Sequence, residues 1–599
     1  MIHGRLYPLD SFDLEEDAEK SSRLYGLLKR RGFFWPSYEI YGGVAGFYDL
    51  GPMGARMREN LESLWKRRFV IDEGFMEIDC PSVAPEVVFK HSGHLEKFTD
   101  YLTRCEKCNK SWRADHLLEG LVENPDALAG EELEDSLSEN EINCPDCGGE
   151  LGPVEEFNLM FKTNIGPGKD KVGYLRPETA QMIFLNFNLL YRLNRNRMPF
   201  GVIQIGRGFR NEISPRQGLI RLREFHMAEA EFFFDPEEES YPPFSSYSNM
   251  VLNLILGDRP DEVSRISLGE AVEKGTIRSE FLAHFMGSTY DFMLEVGIPE
   301  DQIRFRQHLK NEMAHYARDC WDLEVMTSAG WVEMVGVADR SAYDLTQHTR
   351  GSGIDLKAQR RFDDPVEKRI HSVTGDMKRL GPLFRGKAKE VSQALSELDP
   401  AHVENIIDGG DPVEIEIAGE KLTVPPDAVS IEDRVEKVHT EDYVPYVIEP
   451  SFGIDRILTA VLEHSYHEAD SSPMADSDQD EEYRVMRLKA DMAPVKCGIF
   501  PLVNKDGLPE IADEIGLDLK KEGFTTYYDH SGSIGRRYAR MDEIGTPYCV
   551  TVDHDSRDDG KVTLRERDTG EQARIPIGSV PHVLGSLILC ERTFDSFLN

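Results

Sequence analysis

Between Gly206 and Phe234 the chain reads GRGFRNEISPRQGLIRLREFHMAEAEFFF. Arg207, Arg210, Arg216, Arg221 and Arg223 fall within seventeen residues, in a protein whose 108 acidic and 69 basic side chains give a net charge of −39. The flanks, Ile205–Phe209 and Ala228–Phe234, are apolar enough for strands. Ser214-Pro215-Arg216-Gln217-Gly218 between them carries the Pro and Gly of a loop. The pattern predicts two antiparallel strands joined by an arginine-rich loop. Such a hairpin suits a polyanion, because fixed guanidiniums grip phosphate oxygens bidentately. Phe209, Phe225 and the Phe232–Phe234 run place large rings beside the charges, which favours a binding surface over a merely solvated hairpin.

The excess acid is spread along the chain. Any nucleic-acid contact must therefore rest on local basic patches, not on the overall field. Such a surface suits a cell with molar internal salt, where the Debye length falls to ~3 Å and self-repulsion is screened, so a halophilic source is expected. No apolar run approaches a membrane span, and MIHGRLYPLDSFDLEEDAEK at the N-terminus lacks a basic-then-apolar signal pattern. A cytoplasmic location without a membrane partner is expected.

Of nine cysteines, four form two CxxC pairs, Cys105/Cys108 and Cys144/Cys147, separated by 35 residues. Two such turns present four thiolates, the ligand set of tetrahedral structural zinc. Four cysteine ligands leave no open coordination position, so the expected Zn2+ holds structure and takes no part in chemistry. Glu119–Glu141 between the pairs reads as a solvated helical excursion.

Elsewhere the periodicity predicts a helix over residues 11–33 and an amphipathic helix over Ala55–Phe69, followed by a strand broken at Pro81. Phe157–Thr163 reads as a strand. In GYLRPETAQ, Pro177 and Glu178 fit the first turn of a following helix. Glu178 is then either a helix-dipole partner or a site residue. Residues 236–306 read as an acidic, helix-rich insertion and 363–438 as a second insertion. Alternation about Gly330–Val335 predicts a strand on which Glu333 faces away from Val332 and Met334. Val447–Gly453 predicts strand and turn, and Ile454 opens a helix whose first turn holds Arg456. A cation there opposes the dipole unless an anionic ligand sits at the helix N-terminus. His467–Glu482 has seven acids and no Lys or Arg and reads as a linker. Beyond it, strands and helices alternate as in a compact α/β domain, with Arg536, Arg537 and Arg540 as a basic edge or an ordinary surface helix.

FRNEISPR…GLIRLREFHMAEAEFF resembles motif 2 of class II aminoacyl-tRNA synthetases, in particular the dimeric glycyl type. The Ala55–His94 helix–strand–proline unit is similar to motif 1, the dimer interface of that family. PSFGIDRIL resembles motif 3. RPETAQ and GVADRSAYD match further segments, and GSIGRRYARMDEIGTPYCVTVD resembles the anticodon-binding domain shared by glycyl, histidyl, prolyl and threonyl synthetases. The resemblance implies an α+β fold: an antiparallel sheet of six or seven strands with flanking helices and insertions, plus a C-terminal α/β anticodon-binding domain. It implies a catalytic domain over 1–466, with a zinc-binding insertion at 100–155, then an acidic linker at 467–490 and the anticodon-binding domain at 491–599. No P-loop or GxGxxG is present to bind ATP otherwise.

The implied reaction joins glycine and ATP into glycyl-adenylate, then transfers glycine to the 3′ end of tRNA(Gly) by a homodimer. The resemblance makes Arg210 the α-phosphate ligand, Glu212 an adenine contact and Phe225 the ring stacked on adenine. Arg221 and Arg456 become γ-phosphate partners and Glu333 the Mg2+ carboxylate, with Arg210, Arg456 and Glu333 the catalytic set. Asn211, Ile220, Leu222, Arg223, Glu224, Met334, Gly453, Ile454 and Asp455 complete the implied ATP site. The implied glycine site comprises Arg113, Glu178, Phe225, His226, Met227, Ala228, Glu229, Glu449, Pro450, Ser451, Phe452 and Gly453. A non-catalytic synthetase-like paralogue and a zinc protein binding RNA remain the alternatives. The first commonly loses motif arginines that this chain keeps, and the second leaves motifs 2 and 3 unexplained.

Overall fold

The computed structural model describes residues 14–122, 125, 128–213, 215, 218–309, 317–417, 420–469 and 483–598. Arg216 and most of the acidic 467–482 stretch lie outside the described residues. The chain divides into two compact units, one of residues 1–356 with 444–599 and one of Lys357–Tyr443.

The first unit is built on a nine-stranded sheet. In chain order its strands are β1 (Met76–Glu77), β2 (Phe200–Phe209), β3 (Glu224–Phe234), β4 (Val251–Leu256), β5 (Arg259–Ser267), β6 (Ile303–Gln307), β7 (Asp319–Thr327), β8 (Gly330–Ser341) and β9 (Tyr446–Gly453), laid side by side as β5–β4–β6–β7–β8–β9–β3–β2–β1. All neighbours run antiparallel except β4/β6 and β2/β1. The sheet is thus larger than the six or seven strands expected, and the reason is local. The supposed helix-rich insertion at 236–306 supplies β4, β5 and β6, which extend the sheet beyond β7.

Strand alternation splits the central hairpin. On β3, His226, Ala228, Ala230, Phe232 and Phe234 fall on one face, and Phe225, Met227, Glu229, Glu231 and Phe233 on the other. Helices α1 (Pro52–Lys66), α2 (Ala180–Leu185), α3 (Glu280–Glu295), α4 (Tyr343–Ser352) and α5 (Ile454–Ser465) cover the sheet. Phe232 and Phe234 pack on Phe281 of α3, and Phe233 packs on Phe184, Phe187 and Phe200. The Phe232–Phe234 run is therefore core on both faces and does not flank the arginines. Met57, Leu61 and Trp65 of α1 are fully buried, with Trp65 and Phe69 edge-on to Phe452 of β9. Replacing such a ring by alanine costs ~3–5 kcal/mol.

Pro177 and Glu178 precede α2, which starts at Ala180, so Glu178 lies outside any helix first turn. The Phe157–Thr163 stretch forms two short strands in different sheets, Glu155–Asn158 and Lys162–Asn164. The expected linker is structured at both ends, where Tyr466–Ala469 pairs antiparallel with Tyr483–Met486.

The C-terminal domain is a five-stranded mixed sheet in the order Thr526–Tyr528, Cys497–Pro501, Tyr548–Val552, Lys561–Glu566, Gln572–Pro576. Leu508–Lys521 and Val580–Ile588 bury Ala512, Ile515, Leu519, Val583 and Leu584 against it. The last helix stops at Ile588, and Cys590 takes a positive φ of 56° before a 3-10 turn at Phe594–Phe597. The domain shares core with the catalytic sheet: Met492, Tyr538, Met541 and Ile544 belong to the same apolar cluster as α1, and Asn60 donates to the carbonyls of Met492 and Ala493 at 3.2 and 3.0 Å. The second unit is a two-stranded antiparallel ribbon, Ala358–Gly375 with Val429–Tyr443. It carries three helices and the Val413–Val424 hairpin around Val373, Leu380, Val391, Leu395 and Val403. It spans Lys357–Tyr443, a few residues more at each end than the insertion expected.

Candidate active site

The sheet face that carries Phe225, Glu229, Ser451 and Gly336 differs in charge between its two ends. At the first end, Arg210, Arg221, Glu212, Phe225, Glu333, Gly453 and Arg456 line a single cavity. The β2–β3 hairpin sets Phe225 opposite Gly208. A Cβ at Gly208 would lie 2.6 Å from that ring, so glycine there lets the ring cross the hairpin. The Arg210 guanidinium sits 5.3 Å from the Phe225 and Phe98 ring centres and donates to the Pro177 carbonyl at 3.4 Å. Arg456, in the first turn of α5, donates to the Ile220 and Glu333 carbonyls at 3.0 and 2.9 Å and to the Glu333 carboxylate at 3.0 Å. Desolvation disfavours ionised Glu333, but Arg456 and then Arg210 outweigh it and hold the carboxyl below its usual range. Arg221 reaches His116 Nε2 at 3.2 Å. Burial, with Arg113 and Arg221 nearby, brings His116 down to about 4, so the neutral ring accepts from Arg221.

At the second end, Glu178, Glu229, Glu231, Glu449 and Asp344 are each no more than 8 % exposed, around Arg340 at 1 %. Sheet register explains the gathering: Glu229 lies opposite Ser451, Gly336 opposite Ser451, and Ala338 opposite Glu449. Glu231 follows two residues on along β3, on the same face, and Arg340 sits where the β8 register shifts between Asp339 and Ser341. Arg340 donates to both Glu449 oxygens at 2.8 Å and to both Asp344 oxygens at 2.8 and 3.0 Å. Gln181 bridges Glu178 and Asp344 at 2.9 Å each, and His348 meets the Gln181 oxygen at 2.8 Å. Glu229 accepts from Thr179 N, Thr179 Oγ1 and Ser451 Oγ at 2.6, 2.5 and 2.9 Å. Burial alone would raise Glu178, yet His94 at 3.3 Å and Arg340 hold it well below the carboxylate range. Burial raises Glu229, helped by the Glu178 charge. Burial together with Glu229 and Glu178 pushes Glu449 up to about 8 despite Arg340. The arrangement suits a small cation placed among carboxylates, with an anion beside it.

Residues 161–465 match the model of the tRNA synthetase class II core domain (G, H, P, S and T), and residues 496–587 match an anticodon binding domain. A protein named glycine–tRNA ligase from Methanothrix thermoacetophila is 49 % identical over 565 residues, 94 % of this chain and 96 % of that one. Another so named, from Archaeoglobus fulgidus, is 46 % identical over 576 residues, 96 % of this chain and 98 % of that one. This chain belongs to the glycine–tRNA ligase family of class II synthetases.

Within that family scaffold, strand parity divides the residues read from the sequence. Met227, Glu229, Glu449, Ser451 and Gly453 share the face that carries Phe225. Ala228 and Ile454 are fully buried in the hydrophobic core, Pro450 lies opposite Val337 on the core side, and Phe452, though a core ring, also lines the cavity. Met334 and Leu222 belong to the core yet line the cavity, as does Ile220, whose carbonyl accepts from Arg456. His226 sits between Asp455 and Arg58: its backbone N–H donates to Asp455 at 2.6 Å and its Nε2 meets Arg58 at 2.8 Å. Glu224 pairs with Arg207 outside the cavity. Arg223 staples the Ala45 and Glu212 carbonyls. Asn211 is fixed through its backbone N–H to Leu159. Arg113 pairs with Asp100 across its hairpin and with Asp115 in the 3-10 turn that follows.

Sequence reading missed Arg340, Asp344, Gln181, Glu231, Thr179, His94, His348 and His116 as site residues. Glu231 had a signal, since it shares parity with Glu229. Arg340, Asp344, Thr179 and Gln181 stood inside quoted segments. His94 and His348 had none.

The four paired cysteines converge. Cys105 and Cys147 Sγ lie 3.5 Å apart, Cys108 and Cys144 Sγ 3.7 Å apart, and all four sulfurs lie within 4.8 Å of one another. A tetrahedron with ~2.3 Å zinc–sulfur bonds has edges near ~3.8 Å, so the donor set and its spacing fit Zn2+. The intervening helix Gly130–Glu139 is packed as well as solvated, burying Leu133 and Leu137 against Ala114 and Leu118.

Proposed function

We propose that this chain is a glycine–tRNA ligase, which condenses glycine with ATP to glycyl-adenylate and pyrophosphate and passes the glycyl group to the 3′ end of tRNA(Gly). The juxtaposition of an arginine-lined cavity with a buried carboxylate pocket on one sheet face carries this reading. ATP phosphates meet Arg210, Arg221 and Arg456, and the glycine ammonium meets Glu178, Glu229 and Glu449. The glycine carboxylate is its own nucleophile toward the α-phosphate, so the chain's part is positioning and fixed positive charge where the transition state gathers negative charge. Glu333, half-exposed beside Arg456, would hold the Mg2+ brought with ATP, which neutralises phosphate charge. Thr179, Ser451 and the Glu229 carboxylate are held against one another, and exclusion by clash is how a site so crowded rejects larger amino acids. Pyrophosphate exchange across the twenty amino acids tests this. Glycine alone should support exchange, and exchange with none, or with a larger amino acid, would overturn it.

The finer reading goes further. The Cys105, Cys108, Cys144 and Cys147 cluster holds structural zinc. Residues 496–587 read the anticodon, although Arg537 and Arg540 serve their own domain, on the Pro501 carbonyl and on Asp529. The ligase is a homodimer of the archaeal/eukaryotic-like type, supported by Ile40 and Tyr41 at 88 and 87 % exposure close to α1. Sedimentation at micromolar protein should give twice the chain mass. It works in the cytoplasm of a halophile, so charging should rise from low to molar KCl while circular dichroism follows the fold. A steady fall with an intact fold would remove the halophilic reading.

A further inference from the structure

The second end of the site face carries more carboxylates than it can ionise. Glu178 comes from the loop before α2, Glu229 and Glu231 from β3, Glu449 from β9 and Asp344 from α4. The cations facing them are Arg340 from β8 and Arg176, whose donors go to the Cys80 and Arg207 carbonyls. His94 faces Glu178. His348, lowered to about 4 by burial, is neutral, and Cys320 of β7 is a buried thiol. Five buried carboxylates cannot all be charged against these partners.

Hydrogen bonds say which keep their charge. Asp344 has two Arg340 donors and Gln181, and Glu178 has Gln181 and His94 with Arg340 at 3.6 Å; Glu229 has only the neutral donors Thr179 and Ser451, and the two oxygens of Glu449 share a single Arg340 nitrogen. Glu231 is 0 % exposed, and neither of its oxygens has a hydrogen-bond partner among the described residues. Burial, then the charge of Glu449, raise it well above the usual range. Glu449, at about 8, is next.

We propose that Glu231 is a positioning residue that stays a neutral acid beneath the glycine pocket, and that the proton held by the empty Glu229–Glu449 pair is displaced to solvent by the ammonium of glycine. This rests on the functional reading above. One proton leaves to water as one ammonium arrives, so the pocket's net charge is unchanged. The neutral Glu231 confines the exchangeable proton to the two carboxyls that touch the substrate.

The full-length protein is titrated with glycine by calorimetry in buffers of different ionisation enthalpy, between pH 6.5 and 8.5. Near neutral pH, binding should release close to one proton, and release should decline as pH passes about 8. Glycine affinity should fall with pH below that point, by up to ~tenfold per unit. Glu449→Gln should abolish release. Glu231→Gln, a neutral isostere, should keep the wild-type proton count and pH slope. Wild-type glycine binding without proton release overturns the proposal, as does a changed count in Glu231→Gln. Glycine-dependent pyrophosphate exchange on the same preparation separates the failures: exchange without release sinks only this inference, while absence of both sinks the functional reading beneath it.

Discussion

The two ends of the site face hold their charges differently before any substrate arrives. At the phosphate end, the Arg456 side chain is 31 % exposed and rests largely on carbonyls. Arg210 leans on a carbonyl and two rings, and Arg221 on a neutral imidazole. Apart from the Glu333 carboxylate on Arg456, these acceptors are weaker than a phosphate oxygen, so the arginines can exchange partners at little cost. At the amino-acid end, the groups are buried and locked to one another, with like charges that only a cation relieves. Under the proposed function, the arginine end is thus suited to exchanging acceptors and the carboxylate end to discriminating.

The largest test removes an exchangeable cation. Arg456→Ala and Arg210→Ala should each lower glycine-dependent pyrophosphate exchange by ~10²–10³-fold, with circular dichroism and Tm near wild type, because the groups they leave are main-chain carbonyls and, for Arg456, the half-exposed Glu333 carboxylate. Exchange at the wild-type rate would take that residue out of the mechanism.

Glu449→Gln breaks the other end and should leave a different mark. Losing a hydrogen-bonded charge to the ammonium should raise KM for glycine by ~10–10²-fold, with KM for ATP unchanged. Its effect on stability has a definite sign. The folded carboxyl titrates at about 8, above the ~4.3 of an unfolded glutamate. Its contribution is therefore fully present below ~4.3 and is lost as pH rises through ~8. Removing it should move the Tm difference in the variant's favour between pH 6 and 9. A pH-independent difference would deny that Glu449 holds its proton.

These signatures mark where the sequence was legible. The arginine-rich hairpin, the cysteine pairs and the anomalous cation at Arg456 were readable from residue type and spacing, whereas Glu178, Glu229, Glu449 and the part given to Arg210 came from the family resemblance. Contiguous runs such as Phe225–Glu229 and Glu449–Gly453 were not resolvable into site and core without knowing which parity faces the site, and Ala228 and Pro450 within them face the core. Arg340 and Glu231 are site residues only by register across β8, β9 and β3, a long-range fact. The strands at 251–307 were hidden because β5 is largely exposed and charged, RPDEVSRIS, and carries little apolar alternation.

Cys144→Ser sharpens the comparison at a distance. The cysteine pairs clamp the Thr99–Arg104 and Ser111–Arg113 hairpin, and His116, which meets Arg221, follows three residues after it. The variant should lose its zinc by metal analysis and weaken the phosphate end alone, raising KM for ATP a few-fold while KM for glycine stays put. An unchanged metal content would remove the zinc assignment, and equal change in both KM values would break the link through His116.

The smallest effect concerns salt. Between 0.1 and 1 M the Debye length falls from ~10 to ~3 Å. Partly exposed pairs are screened by this and buried ones hardly at all. Side-chain exposure is 31 % at Arg456 but 10 % at Glu178 and 6 % at Glu449. Total charging is expected to rise with KCl as the self-repelling, acidic fold and its approach to tRNA are relieved, so rate alone cannot isolate the site. The ratio of the two Michaelis constants can, because both are measured on the same folded protein. KM for ATP should climb a few-fold across this range while KM for glycine moves by less than ~twofold. If both constants rise together with salt, the carboxylate end is as open to solvent as the arginine end, and the contrast drawn from their burial fails.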